Sequence, residues 1–212
     1  MIRQEYKWLT DIYVAHRGLF DKKQGVPENS LPAFKRAAES NFGIETDVQM
    51  TKDGVLVVFH DDDLFRMTRI KGKLTDFTFA ELSQLRLDGT DYGIPTFDEF
   101  LKAAQGVNLV VEIKTHENIG EVERKTYEAL KSYNGNYCVE SVNRSIENAP
   151  FSKFKKRLLA DLKLCKWNGS QFIAYDGATI ADNKAVKKFA KKIPIICWTV
   201  TSQKSYCRNS RA

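Results

Sequence analysis

The chain has 212 residues, 42% of them hydrophobic, and a formal net charge of +6 at neutral pH. This length allows one domain with a large core that needs no disulfide framework, and it lies somewhat below the ~250 residues of a typical α/β barrel. The sequence contains no run of about 18 apolar residues, the length needed to span a bilayer. It also contains no basic tract interleaved with aromatic residues, the pattern typical of nucleic-acid binding.

Apolar, β-branched segments alternate with helical patterns along most of the chain. This alternation indicates parallel β/α units, and therefore a barrel or a doubly wound sheet. No glycine-rich phosphate loop follows any of the strands, which disfavours a nucleotide-binding sheet. The predicted strands cover residues 12–15, 44–48, 55–59, 109–113, 137–142, 157–162, 172–174 and 193–200. The predicted helices cover residues 31–40, 97–104, 119–132 and 181–191.

The first predicted strand leads into His16, Arg17 and Gly18. A histidine and an arginine at the end of a buried strand are costly unless they are paired or used. In a β/α barrel, the carboxyl end of a strand is where catalytic groups lie. A single histidine more often has a structural role. However, the neighbouring guanidinium offers a rigid fork of donors to a phosphate, so the pair favours an anion site.

The second predicted strand carries two carboxylates, Glu45 and Asp47. Residues two apart on a strand point to the same face, so these side chains project together. If that face is the barrel interior, a divalent cation would offset their repulsion and their desolvation. Hard oxygen ligands of this kind suit Mg²⁺ or Ca²⁺. The alternative is a solvent-facing acidic pair on an edge strand.

The third predicted strand ends at His60, and the turn before it contains Thr51, Asp53 and Gly54. Such a turn would pair the strands on either side of it antiparallel to each other. After His60, about fifty residues carry no convincing strand, and a loop of that length is usually functional or a small subdomain. We interpret residues 61–107 as an insertion over the mouth of a barrel. An ordinary surface loop is the alternative.

The fourth predicted strand places Glu112 and Lys114 on one face. Glu112 could complete a site of three carboxylates with Glu45 and Asp47, and Lys114 could neutralise a phosphate. A structural ion pair is the alternative for this strand. Together, the histidines, carboxylates and cations of these strands provide a metal site, acid/base groups and phosphate ligands for phosphate-ester chemistry.

Eight motifs in order along the chain resemble those of the glycerophosphodiester phosphodiesterases. The resemblance covers nearly the whole sequence, and a chance match of this density is very improbable. The motifs are AHRG at 15–18, PENSLPAF at 27–34, ETDVQMTKDG at 45–54, VVFHD at 57–61, RMT at 66–68, PTF at 95–97, VEIK at 111–114 and CWTV at 197–200.

The resemblance implies a single TIM-type (β/α)8 barrel domain over residues 1–212, with a small insertion after the His60 strand. It implies hydrolysis of glycerophosphodiesters to glycerol 3-phosphate and an alcohol, with a divalent cation as cofactor and a small phosphodiester as the substrate. A phospholipase D-like lyase acting on lysolipids and an inactive, truncated member of the family are the alternatives. The implied site consists of His16 and His60 as the acid/base pair, Arg17 and Lys114 on the phosphate, Trp198 lining the pocket, Asn29 orienting a histidine, and Glu45, Asp47 and Glu112 on the metal. The alternative for Asn29 is capping of the helix that begins at Leu31, a role for which Ser30 competes.

Two segments depart from the family pattern. The serine usual after the fifth strand is present as Ser141, but Val142 replaces the phenylalanine that follows it, which bears on the shape of the pocket and not on the chemistry. After Val200, where the family continues with a helix and an apolar segment, residues 202–212 contain no aliphatic residue larger than alanine. We therefore expect a truncated C-terminal end that is irregular and exposed. The uncovered last strand should then make the chain poorly stable or prone to aggregate.

The start of the chain and its cysteines predict a cytoplasmic location. Residues 1–7 lack the apolar segment of a signal peptide. The cysteines, at positions 138, 165, 197 and 207, form no C-x-x-C pair and lack the spacing of zinc ligands. Reduced thiols fit a cytoplasmic protein better than a secreted one. We expect neither a nucleic-acid partner nor a stable membrane anchor.

Overall fold

The computed structural model describes residues 8–114 and 120–141, together with the backbone of three further strands at 157–159, 172–176 and 195–198. The chain divides into two compact units. One consists of Tyr13–Phe154, and the other joins Met1–Ile12 with Lys155–Ala212.

The unit Tyr13–Phe154 is built on one mixed sheet. Its parallel strands are β1 (Val14–His16), β2 (Gly43–Met50), β4 (Leu109–Ile113) and β5 (Tyr137–Ser141), hydrogen-bonded in the order β1-β2-β4-β5. Strand β3 (Leu56–Val58) lies off this path and pairs antiparallel with the end of β2. The other unit holds a parallel sheet of β6 (Arg157–Leu159), β7 (Phe172–Asp176) and β8 (Ile195–Trp198).

Six α-helices lie within the described residues: α1 (Trp8–Asp11), α2 (Leu31–Glu39), α3 (Phe65–Thr68), α4 (Phe79–Leu82), α5 (Phe97–Ala104) and α6 (Glu121–Leu130). Short 3₁₀ helices cover Lys22–Gln24 and Leu74–Asp76. Each predicted strand overlaps an observed one, and three of the four predicted helices correspond to α2, α5 and α6. The helix predicted at 181–191 and the irregular end predicted after Val200 fall outside the described residues.

Helices α2 and α5 supply the aromatic core that packs against the parallel sheet. Helix α2 has Pro32 in its first turn, where a missing N–H costs nothing. Thr96 and Glu99 form a capping box that begins α5. The fully buried rings of Phe34 and Phe100 meet edge-to-face with centroids 4.6 Å apart. This contact holds the two helices together on one side of the sheet.

Phe100→Ala is expected to lower the free energy of unfolding by about 3–5 kcal/mol, because it removes a fully buried ring and leaves a cavity. Denaturant unfolding monitored by circular dichroism measures this change. Phe65→Ala is the matched control, since that ring is 45% exposed and its loss should cost about 1 kcal/mol or less. Equal destabilisation by the two variants would contradict the assigned core.

The predicted turn at residues 51–54 reverses the chain, and this confirms the antiparallel alternative for the strands on either side of it. Thr51 donates its hydroxyl hydrogen to Asp53 at 2.6 Å, and Gly54 takes a left-handed φ of 83° that favours glycine. Strand β3 therefore returns alongside the carboxyl half of β2 and is not one of the parallel strands. His60 follows this returning strand.

The segment after His60 packs around a small apolar core of its own. Helix α5 belongs instead to the main core, so the predicted insertion at 61–107 contains two differently packed parts. Residues 61–95, hereafter the insertion, form the separate core together with Val57 and Phe59. The buried residues of that core are Val57, Phe59, Leu64, Met67, Leu74, Leu82, Leu87 and Ile94.

Candidate active site

A layer of carboxylates crosses three neighbouring parallel strands. Asp47 on β2 pairs in register with Glu112 on β4, which pairs in register with Glu140 on β5. Glu45 lies two residues before Asp47 and therefore shares its face of the sheet. One carboxylate oxygen each from Glu45, Glu112 and Glu140 lies within 4.8 Å of the others. Asp47 is in the layer but outside this group of three.

The environment of Glu45 disfavours a negative charge. Burial raises the pKa of this carboxyl well above its usual value, and nearby carboxylates raise it further. These neighbours are Asp47, Glu140 and Glu112. The backbone N–H of Arg17 donates to Glu45 Oε2 at 3.0 Å, which orients the side chain. A buried group of like charges of this kind can be stabilised by protons or by a cation.

Asp47 is fully buried and is held by polar groups from two directions. Lys114 Nζ lies 3.2 Å from Asp47 Oδ1 and 3.1 Å from Glu112 Oε1. Burial alone would lower the pKa of Lys114, but these two negative charges raise it above its usual value. Asn29 donates its amide to Asp47 Oδ2 at 2.9 Å and accepts from the hydroxyl of Thr46 at 3.1 Å. The amide expected to orient a histidine thus orients Asp47.

His16 ends β1 and lies beside Glu45 on the next strand. Its Nε2 is 3.8 Å from Glu45 Oε2, which is beyond hydrogen-bond distance. Burial, together with the positive charge of Arg17, lowers the pKa of His16 to about 4. The imidazole is therefore neutral at neutral pH and can accept a proton.

His60 is held both through its ring and through its backbone. Its Nδ1 lies 2.6 Å from Asp61 Oδ1. The buried amide of Gln49 donates to the carbonyl of Phe59 at 2.9 Å and to that of Asp61 at 2.8 Å, on either side of the histidine. The extended β2 strand therefore determines where the returning chain places His60.

A network of charged residues joins the insertion to the loop before α2. Arg66 Nη2 donates to Glu28 Oε1 at 2.6 Å, and Arg17 Nη1 donates to the same oxygen at 2.8 Å. Arg66 also donates to both carboxylate oxygens of Asp61. Burial by itself would raise the pKa of Glu28 and of Asp61, but the arginine contacts outweigh it and both pKa values fall below their usual range. Both carboxylates are thus ionised at neutral pH.

The backbone is strained at two residues whose side chains make these contacts. Arg17 and Asn29 both have left-handed φ values, of 59° and 50°, which non-glycine residues rarely adopt. Gly18 follows at φ 79°, and a Cβ there would lie 2.9 Å from the Cβ of Ala33 in α2. Only glycine allows the chain to pass so close to the helix.

The structure brings together all the predicted site residues whose side chains it describes. The backbone of Trp198 lies in β8, and its side chain is outside the described residues. The sequence reasoning assigned no role to Glu28, Asp61, Arg66 or Glu140. The signal available for Glu140 was a single carboxylate inside an otherwise uncharged strand, which is costly when buried.

Comparison with known proteins identifies the family. Residues 16–162 match the model of the glycerophosphoryl diester phosphodiesterase family. The chain belongs to this family. It is 40% identical over 134 residues to a glycerophosphodiester phosphodiesterase of Caldanaerobacter subterraneus, which covers 58% of this chain and 54% of the relative. It is 35% identical over 136 residues to the Bacillus altitudinis enzyme, which covers 59% of this chain and 54% of that relative. The chain spans about half the length of the curated relatives it matches.

Solved structures of glycerophosphodiester phosphodiesterases share its fold. The enzyme of Thermotoga maritima is similar at a TM-score of 0.77 and 27% identity, over 94% of this chain and 90% of that one. A phosphodiesterase of Oleispira antarctica, solved with sn-glycerol-3-phosphate, has a TM-score of 0.82 at 21% identity, over 96% and 91% of the two chains. The likeness confirms the predicted fold class, a TIM-type (β/α)8 barrel.

The helices in the described part of this family member include no candidate for a membrane-spanning segment.

Proposed function

We propose that the chain is a metal-dependent phosphodiesterase that hydrolyses glycerophosphodiesters to glycerol 3-phosphate and an alcohol. The observation that carries the proposal is the convergence of buried carboxylates next to His16 in a chain of this family. Curated relatives named glycerophosphodiester phosphodiesterases support the substrate class. We also propose the cytoplasm as its location, because the cysteines, which form no C-x-x-C pair, are interpreted as reduced thiols, and these fit that compartment.

The residues present fit a hard divalent cation. Every candidate ligand atom is a carboxylate oxygen, which suits Mg²⁺ or Ca²⁺. We propose Glu45, Glu112 and Glu140 as ligands because their oxygens already lie within 4.8 Å of one another. Asp47, in register with Glu112, is the fourth carboxylate available to the ion. When bound, the cation would polarise a phosphate oxygen and the glycerol hydroxyls.

Two cations of the chain are placed for the phosphate. Arg17 keeps its guanidinium at the carboxyl end of β1, with Nη1 on Glu28 and Nε 3.7 Å from Asp47. Lys114 lies between Asp47 and Glu112 in the carboxylate layer. A phosphate bridging these two side chains would be held by charge-assisted hydrogen bonds. Both cations would then neutralise charge that develops on the phosphate oxygens during the reaction.

The two histidines supply the proton transfers. One accepts the proton of the attacking hydroxyl, from water or from the glycerol 2-hydroxyl, as the new oxygen–phosphorus bond forms. The other donates a proton to the alcohol oxygen as its bond to phosphorus breaks. If the 2-hydroxyl attacks, water then opens the cyclic phosphate with the proton transfers reversed. Neutral His16, with its lowered pKa, can act in the first role at neutral pH.

Release of glycerol 3-phosphate from glycerophosphocholine tests the proposal most directly. We expect release in the presence of Mg²⁺ or Ca²⁺, none with EDTA, and recovery when the cation is added back. A parallel assay with lysophosphatidylcholine separates the lyase alternative, which would form a cyclic phosphate from the lysolipid. Activity that is unaffected by EDTA would contradict metal dependence. Cyclic product from the lysolipid alone would contradict the proposed substrate.

A further inference from the structure

The insertion provides the side chain that touches the His60 ring. We propose that Asp61 is the positioning residue of His60, fixing its protonated nitrogen, and that Arg66 in turn fixes Asp61. The inference rests on the proposed function for its consequence in catalysis, but the ring geometry itself can be tested without substrate. Neither residue is proposed to touch the reacting atoms.

The 2.6 Å contact between His60 Nδ1 and Asp61 Oδ1 requires one hydrogen. An ionised carboxylate can only accept, so the hydrogen must lie on Nδ1. Asp61 is ionised at neutral pH because its contacts with Arg66 and His60 hold its pKa below the usual value despite partial burial. Neutral His60 therefore carries its proton on Nδ1 and leaves Nε2 as the basic atom.

The position of the ring depends on Asp61 because the backbone around it is already fixed. Gln49 binds the carbonyls on both sides of His60 and is itself buried. The remaining freedom is rotation of the side chain and the choice of protonated nitrogen. The side chain of His60 is 31% exposed, so contact with water alone would not restrict either of them. The bond to Asp61 restricts both.

Arg66 prevents Asp61 from turning away. Its guanidinium binds both oxygens of Asp61 while also binding both oxygens of Glu28, at 2.6 and 3.2 Å. Glu28 is anchored in the loop before α2 and also accepts from Arg17. Arg66 thus connects the carboxylate behind His60 to the loop that carries the proposed phosphate ligand. A planar donor with two edges is needed for this double contact, and lysine could not provide it.

Nitrogen-15 NMR of the histidine rings in the full chain, without substrate, tests the inference. The chain has three histidines, and His60→Gln identifies the resonances of His60. For the neutral ring, we expect a protonated Nδ1 and an unprotonated Nε2. Asp61→Ala should shift the population towards the Nε2–H form. A wild-type ring already protonated on Nε2, or an unchanged pattern in Asp61→Ala, would overturn the inference.

Kinetics with a matched control separate positioning from structural support. Asp61→Ala should lower kcat about 10²-fold with KM nearly unchanged, the loss expected when a reacting group is misplaced. Arg66→Met should lower kcat about tenfold. Asp63→Asn is the control, since its carboxylate binds backbone N–H groups of the insertion and not the histidine. Equal losses in Asp63→Asn and Asp61→Ala would reduce Asp61 to a structural role, and an unchanged Arg66→Met would remove Arg66 from the inference.

The two proposals fail in different ways. If the wild-type chain releases no glycerol 3-phosphate but shows the expected ring protonation, the proposed function is wrong and the positioning of His60 stands. If the wild-type chain is active but its His60 carries the proton on Nε2, the positioning inference fails and the proposed function stands.

Discussion

Glu45→Gln is expected to reduce hydrolysis to background and to weaken binding of Mg²⁺ or Ca²⁺ by more than about 10²-fold, since even the loss of a residue behind a metal ligand can cost that much. The negative charges of Asp47, Glu112 and Glu140 all act on Glu45 and raise its pKa, so this carboxylate gains most from a bound cation. Glutamine keeps an oxygen that can accept from the backbone N–H of Arg17, so the fold should survive.

Isothermal titration calorimetry with the cation measures this loss independently of activity. Glu112→Gln and Glu140→Gln should weaken binding comparably, because their oxygens belong to the same group. Glu128→Gln is the control, since that exposed side chain pairs only with Lys131 among the described residues and should bind the cation as the wild type does. Wild-type affinity in Glu45→Gln would remove this residue from the metal site. Wild-type affinity in Glu140→Gln would return the site to Glu45, Asp47 and Glu112.

His16→Gln and His60→Gln are each expected to lower kcat by about 10²–10⁴-fold, the range for a lost general acid or base. Cation affinity should be close to wild type, because neither ring is a proposed ligand. The double variant should be less impaired than the product of the two single losses, since groups that act together are not additive.

Steady-state kinetics on glycerophosphocholine, with the cation affinity measured in parallel, check this expectation. A loss of activity explained entirely by lost cation binding would argue that a histidine belongs to the metal site. Independent, multiplicative losses in the double variant would argue against paired acid and base roles.

The sequence predicted those parts of the site that depend on periodicity within one strand. Glu45 and Asp47 share a face because they are two residues apart, and the same holds for Glu112 and Lys114. Glu140 was missed because its place in the layer depends on the register between β4 and β5. That register results from packing across the sheet and leaves no local pattern in the sequence.

The surroundings of His60 show a second limit of sequence reasoning. The histidine was predicted at the end of a buried strand, and the turn at 51–54 indicated that this strand would reverse. However, the contact between Arg66 and Glu28 joins residues 38 apart in the chain, through an insertion without regular secondary-structure signals. Such contacts follow from the separate core of the insertion, whose arrangement depends on many weak apolar contacts at once.

The separate core of the insertion has an evolutionary consequence. A segment that buries its own apolar residues can lengthen, shorten or change its outer loops without exposing the helices packed on the main sheet. Residues 57–61 lie at the boundary between the two cores, and their position is restrained by Gln49 and by pairing with β2. Mutational drift can therefore reshape the outer surface of residues 61–95 across descendants of this gene, while His60 is inherited in place.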